Sequence, residues 1–145
     1  MNGQLDRHAP HTIEVGGADP SLVTYTHIIY ALHALSVLIG ITGPATVVGS
    51  FVFGLPSILA VIMNYVRRSE VAGTFLQSHF RWQIRTFWYA LLWMLIASVI
   101  SAPLILLFGL GLLTIALAAV VIGLWVVYRV LRGWLALRDA RPIDF

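Results

Sequence analysis

Residues 86–128 read TFWYALLWMLIASVISAPLILLFGLGLLTIALAAVVIGLWVVY, 43 positions without an Asp, Glu, Lys or Arg. One helical membrane crossing uses about 20 apolar residues, so this stretch has room for two. It is interrupted near its middle by Gly109-Leu110-Gly111. A second uncharged stretch, residues 20–66, is interrupted in the same way by Thr42-Gly43-Pro44. Glycine and proline let a chain reverse between helices. The reading is therefore four spans, near 22–41, 45–66, 87–108 and 111–131. The apolar runs are continuous, not alternating, which selects helices over barrel strands. The expected fold is an all-α membrane protein, four transmembrane helices arranged as two hairpins, joined by an amphipathic cytoplasmic helix.

Composition agrees. Of 145 residues, 59% are hydrophobic and 10% charged, with a mean hydropathy of +0.89. Soluble domains average about 25% charged residues, so this chain has too little polar surface to coat a water-soluble globule. There is no cysteine and no lysine. That excludes disulfide frames, thiol nucleophiles, lysine Schiff bases and a P-loop lysine. Neither hydrolase and nucleotide-binding signatures nor an intramembrane carboxylate pair occurs, so no catalytic, cofactor-binding or metal-ligating set is read from the sequence.

The basic residues set the expected orientation. Arg67, Arg68, Arg81 and Arg85 lie between the two uncharged stretches, and Arg129, Arg132, Arg138 and Arg141 follow the second. The positive-inside rule puts both regions in the cytoplasm. With an even number of spans, residues 1–21 and 139–145 are then both cytoplasmic tails flanking a transmembrane domain at 22–138. The first tail is polar and reads as flexible, without the pattern of a signal peptide. The arginines flank apolar spans instead of striping one helix face, which argues against nucleic acid as a partner. The expected surroundings are a lipid bilayer, specifically a bacterial inner membrane, with a membrane-protein partner or a second copy of the chain.

Residues 67–85, RRSEVAGTFLQSHFRWQIR, are too apolar for a solvated linker. Arg81 and Arg85 share one helix face, while Phe80, Ile84, Phe87 and Trp88 share another. This spacing predicts an interfacial helix over about 69–85 with its arginines toward headgroups. Trp82, Trp88, Tyr89, Trp93, Trp125, Tyr128 and Trp134 suit an aromatic belt at the membrane surface.

Polar groups inside the spans are the candidate functional residues. The first span carries Thr26, His27, Tyr30 and His33; Thr26, Tyr30 and His33 follow i, i+4, i+7 spacing and form one stripe. Three roles fit the histidines: interhelical hydrogen bonding, a proton or substrate path, and haem or metal ligation. His27 and His33 lie about 120° apart around a helix, too far to converge on one metal. Asn64 is the other deep polar group, in the second span. Pro56 and Pro103 are expected to kink their helices. Ala119 with Gly123, and Ala97 with Ser101, have the small-xxx-small spacing of close helix contacts.

Several pieces occur together in a recognisable order: Thr26-His27 early in the first span, Gly43-Pro44 at the first reversal, and RRSE…FLQSHFRWQ before the third span, with His79 followed by Gln83. In this the chain resembles, over residues 22–138, a bacterial domain-of-unknown-function family of small four-helix membrane proteins, distantly similar to the chloroplast import component Tic-twenty. It departs from the family pattern at Phe87, Trp88 and Trp93. The resemblance implies four spans with both termini inside, and does not imply an enzyme. On a helix His79 and Gln83 share a face, one turn apart, with Arg67 and Arg68 close in sequence. An anionic headgroup, a partner's acidic loop, or an internal hydrogen bond would suit them. The expected role is a non-catalytic accessory or scaffold subunit. A small oligomeric channel or transport component is the alternative, and a haem- or quinone-binding redox protein a third.

Overall fold

The computed structural model describes residues 17–42, 47–107 and 109–144, and side chains within these except at 41–53. Four helices account for most of them: α1 (Pro20–Thr42), α2 (Val47–Val66), α3 (Leu76–Leu106) and α4 (Leu110–Arg138). Among the described residues there is no strand. Three of the helices, over Pro20–Gly40, Leu76–Leu106 and Leu110–Arg138, are long and apolar enough to cross a membrane. The tail at 1–16 and the Gly43-Pro44 reversal lie outside the described residues.

Local chemistry explains the helix ends. Asp19 precedes α1 and accepts a 2.8 Å hydrogen bond from the Ser21 N–H, with Pro20 in the first helical position, where its missing N–H costs nothing. That backbone bond holds the Asp19 carboxyl below its ordinary range. Gly109 opens α4 at φ +74, a left-handed conformation that reverses the chain after α3. Both α2 and α3 run on through their prolines, Pro56 and Pro103.

The connector differs from the sequence expectation. No separate helix forms over 69–85. Residues 67–75 are a series of turns. Helix α3 then runs unbroken from Leu76, taking in the second half of the segment expected to lie along the interface. Two features explain this. Gly73 sits at φ +79, which ends any helix from the 67 side. Between Leu76 and Pro103 there is no glycine or proline to part an interfacial helix from a span.

At 31 and 29 residues, α3 and α4 are about 46 and 43 Å long. Each exceeds the ~30 Å hydrocarbon core of a bilayer. The 67–75 turns mark one end of the bundle, called here the loop end. There Leu22, Ile29 and Tyr30 of α1, Ala60 of α2, Val71 of the turns, Leu76 and Phe80 of α3, and Val130 and Leu137 of α4 form one buried cluster. Farther along, no described residue of α3 between 87 and 100, or of α4 between 112 and 129, is buried. The Ala119/Gly123 pair closes no contact: Ala119 is exposed, and a Cβ added at Gly123 would meet nothing within 4 Å.

The C-terminal segment docks. After α4 the N–H of Ala140 bonds the Leu137 carbonyl at 3.0 Å, and the N–H of Arg141 bonds the Ala136 carbonyl at 2.9 Å. This is a Schellman turn, with Ala140 at φ 51 in the place glycine usually takes. It sends residues 141–144 back over α3. Ile143 is buried, and its N–H bonds Ser78 Oγ at 3.0 Å. Asp139 accepts a 2.8 Å bond from Arg141 across the turn.

Ala140→Gly removes the left-handed strain and is expected to stabilise the protein by about 1 kcal/mol in detergent unfolding. The Arg141 bond holds the Asp139 carboxyl below its ordinary value. A lowered native value means its contribution is complete above the ordinary carboxylate range and fades as pH falls through the lowered one. Proteolysis of residues 139–144 is therefore expected to quicken in acid, and to lose that pH dependence in Asp139→Asn.

Candidate functional site

The polar residues picked out from the sequence gather at the loop end, where most of them join one helix to another. Tyr30 of α1 projects into the core with its hydroxyl 3.0 Å from Nδ1 of His79 on α3. The opposite ring nitrogen of His79 lies 2.8 Å from the Arg141 carbonyl. A carbonyl only accepts, so Nε2 carries the proton and Nδ1 receives the Tyr30 hydroxyl hydrogen. One neutral imidazole therefore links α1, α3 and the C-terminal segment. His79 is fully buried, with Phe75 edge-on against its ring at 5.9 Å.

Tyr30 also lies flat beside Trp134 of α4, centroids 6.4 Å apart and planes 13° apart. Gly133 makes this approach possible: a Cβ there would run into the Tyr30 ring. The Trp134 indole N–H donates to Nδ1 of His27 at 3.0 Å. His27 and Tyr30 thus clasp the same turn of α4, and His27 and His33 act separately. His33 pairs through Nδ1 with Ser57 of α2 at 3.2 Å, while its Nε2 is buried without a partner.

A second clasp joins α3 to α4. The Trp82 indole donates to the Arg129 carbonyl at 3.0 Å, and the Arg129 guanidinium covers the Trp82 ring at 3.6 Å. Arg129 Nε donates to Thr86 Oγ1 at 2.7 Å, and Thr86 passes its own hydrogen to the Trp82 carbonyl at 2.7 Å. Trp82 is consequently buried, in contrast to the interfacial position expected for it. The face of α3 turned to the core carries Leu76, His79, Phe80, Gln83 and Thr86, whereas Trp88, expected on the apolar face, is exposed.

The other candidates are scattered around this core. Arg67 stacks on Tyr25 at 4.7 Å and pairs with Glu70 at 3.8 Å. The Tyr25 hydroxyl in turn donates to the Met63 carbonyl at 3.0 Å, tying α1 to α2. Arg68 and Arg81 are exposed. Arg85 reaches the Tyr89 hydroxyl at 3.3 Å. Asn64 and Gln83 are buried, and both polar atoms of each amide lack a hydrogen-bond partner. A buried unpaired amide costs about 1–3 kcal/mol, so these two are the least satisfied groups described. Among the described residues, no three of His, Asp and Glu converge to hold a metal ion.

Sequence reasoning missed Arg129, Trp134 and the Arg141 carbonyl as members of these clasps. Arg129 and Trp134 carried a membrane-surface reading that concealed them, and a backbone carbonyl has no signature in sequence. Comparisons with known protein families, curated proteins and solved structures find no match for the chain.

Tyr30→Phe leaves His79 Nδ1 without its donor and is expected to cost about 1 kcal/mol, the usual scale of an interhelical hydrogen bond. Gly133→Ala forces Tyr30 aside and is expected to cost about 1–3 kcal/mol. Unfolding in detergent followed by tryptophan fluorescence reads both. In the double variant the two losses should not add, because both act on one side chain.

Proposed function

We propose that the chain crosses a bacterial inner membrane four times, with its loop end and both termini in the cytoplasm, and serves as a non-catalytic accessory subunit of a larger membrane assembly. Several features support the topology. Helix α2 has 20 residues, about 30 Å, and its described part is apolar. Ala18, Val71 and Leu137 meet in or against one cluster, so the start of α1, the 67–75 turns and the end of α4 share one end of the bundle. Eight of the nine arginines fall in the segments at or next to that end. The likeness to the Tic-twenty-related family belongs to the same reading.

The observation carrying the accessory role is the division of work along α3 and α4. At the loop end His27, Tyr30, His79, Thr86 and Arg129 are committed to joining helices. Beyond it the paired helices present Leu95, Val99, Val120 and Leu124, all exposed. A hairpin with apolar side chains on its outer faces suits packing against lipid and against the helices of another membrane protein.

A second reading, a small oligomeric channel, is favoured by one observation. The amides of Asn64 and Gln83 and Nε2 of His33 are inward polar atoms without protein partners, as expected where water threads a bundle.

Reporter fusions test the topology: a fusion after residue 145 should report the cytoplasm, and one within 43–46 the opposite side. Affinity purification from native membranes in mild detergent tests the role. A stoichiometric integral membrane partner is expected, released by Val99→Trp or Val120→Trp without loss of thermal stability. Isolation of the chain only as a homo-oligomer that conducts ions in liposomes would replace this reading with the channel.

A further inference from the structure

Helices α3 and α4 enclose a cleft of about 540 Å³ beyond the loop end. Trp93 and Trp125 stand at its near mouth, Ile96, Ile100 and Leu117 form its walls, and Thr114 lies at its far end. The far end has no free polar group to offer, because Ser101 and Thr114 hydroxyls hydrogen-bond each other at 2.8 Å. From Trp125 to Thr114 the cleft follows eleven residues of α4, about 16 Å. One leaflet of hydrocarbon is about 15 Å deep, half of the ~30 Å core.

The near mouth is strongly basic. Arg129 lies one helical turn from Trp125, with its guanidinium carbon 5.1 Å from that ring. Arg132 stands 5.2 Å from the Trp82 ring that Arg129 covers. Among the described residues, no carboxylate forms an ion pair with Arg129 or Arg132. Two guanidinium groups set against one indole ring repel each other unless an anion sits between them. A phosphate suits their planar, multiply donating heads.

A basic mouth opening on an apolar cleft one leaflet deep has the outline of a single lipid. We propose that this cleft holds one anionic glycerophospholipid, with its phosphate between Arg129 and Arg132 and one acyl chain along the cleft between α3 and α4. The inference rests on the membrane reading above and adds a defined site to it. Trp93 and Trp125 mark the level of the glycerol backbone, where an indole meets both apolar and polar surroundings. Apart from Ser101, none of the side chains of α3 and α4 that line the cleft is buried.

Native mass spectrometry of the purified full chain in mild detergent tests this, after exposure to an equal mixture of phosphatidylglycerol and phosphatidylethanolamine. One phosphatidylglycerol per chain is expected to remain bound, in preference to phosphatidylethanolamine. Arg132→Gln should lower its retention about fivefold, the effect of one basic residue near a lipid surface. Ala118→Phe fills the cleft with the arginines intact and should lower retention as well. Arg68→Gln makes the same charge change away from the cleft and should leave retention unchanged. Equal retention of the two lipids, equal effects of the Arg132 and Arg68 changes, or a protein segment in the cleft in place of lipid would overturn the site while leaving the membrane topology standing. A chain that stays dissolved without detergent would overturn both.

Discussion

A neutral imidazole has one hydrogen to give and one lone pair to receive with, and His79 uses both. Its lone pair takes the Tyr30 hydroxyl and its hydrogen goes to the Arg141 carbonyl. Three segments far apart in sequence meet on that ring, and much of the loop end is arranged to permit it. Gly133 gives the Tyr30 ring the room to reach His79. A Schellman turn presents the Arg141 carbonyl by carrying the chain through a left-handed alanine. Ser78, beside His79, holds the same returning strand at Ile143. An apolar residue at position 79 would leave the Tyr30 hydroxyl and the Arg141 carbonyl without these partners, a loss larger than the bonds themselves contribute.

The molecule works in two physical regimes along its length. At the loop end, packing is dense and, apart from the Asn64 and Gln83 amides, buried polar groups are largely paired across helices, with tryptophan indoles reaching an imidazole and a backbone carbonyl. Farther along, α3 and α4 lie beside each other with apolar side chains outward and almost no enclosed interior. Hydrocarbon gives apolar side chains no reason to cluster, so helices there associate through close packing and a few polar contacts. The Ser101–Thr114 bond is one such contact. The length of α3 and α4, well beyond one hydrocarbon thickness, is what allows a single pair of helices to serve both regimes.

The apolar helices were legible because uncharged runs of 43 and 47 residues admit few alternatives. Gly109 was legible as a reversal because glycine there serves a left-handed turn. The inward stripe of Thr26, Tyr30 and His33 followed from helical spacing, and all three are buried. The connector was not legible in the same way. Its amphipathic pattern was real, but the arginines and aromatics of an interfacial helix are the same residue types that build a clasp between two helices. Trp82 illustrates the difficulty: an indole can lie at a membrane surface or, as here, beneath a guanidinium on a neighbouring helix. What separates the two is which helix lies alongside, a tertiary fact without a local signature. Gly73 was the one local clue that the helix should begin later, and the apolar character of its neighbours masked it. The docking of Ile143 had no sequence signal beyond an isoleucine between Pro142 and Asp144.

The order of synthesis gives the Arg141 contact a further consequence. Residues 141–143 leave the ribosome after all four helices, so the ring on α3 stays half-bonded while those helices are already made. Chains fold progressively from the N-terminal side as they are made, and here α1 and the segment that follows α4 meet on one histidine. Assembly of the bundle is completed only when translation has passed the last helix, and a nascent chain halted at residue 138 would hold every helix but not the bond that closes them.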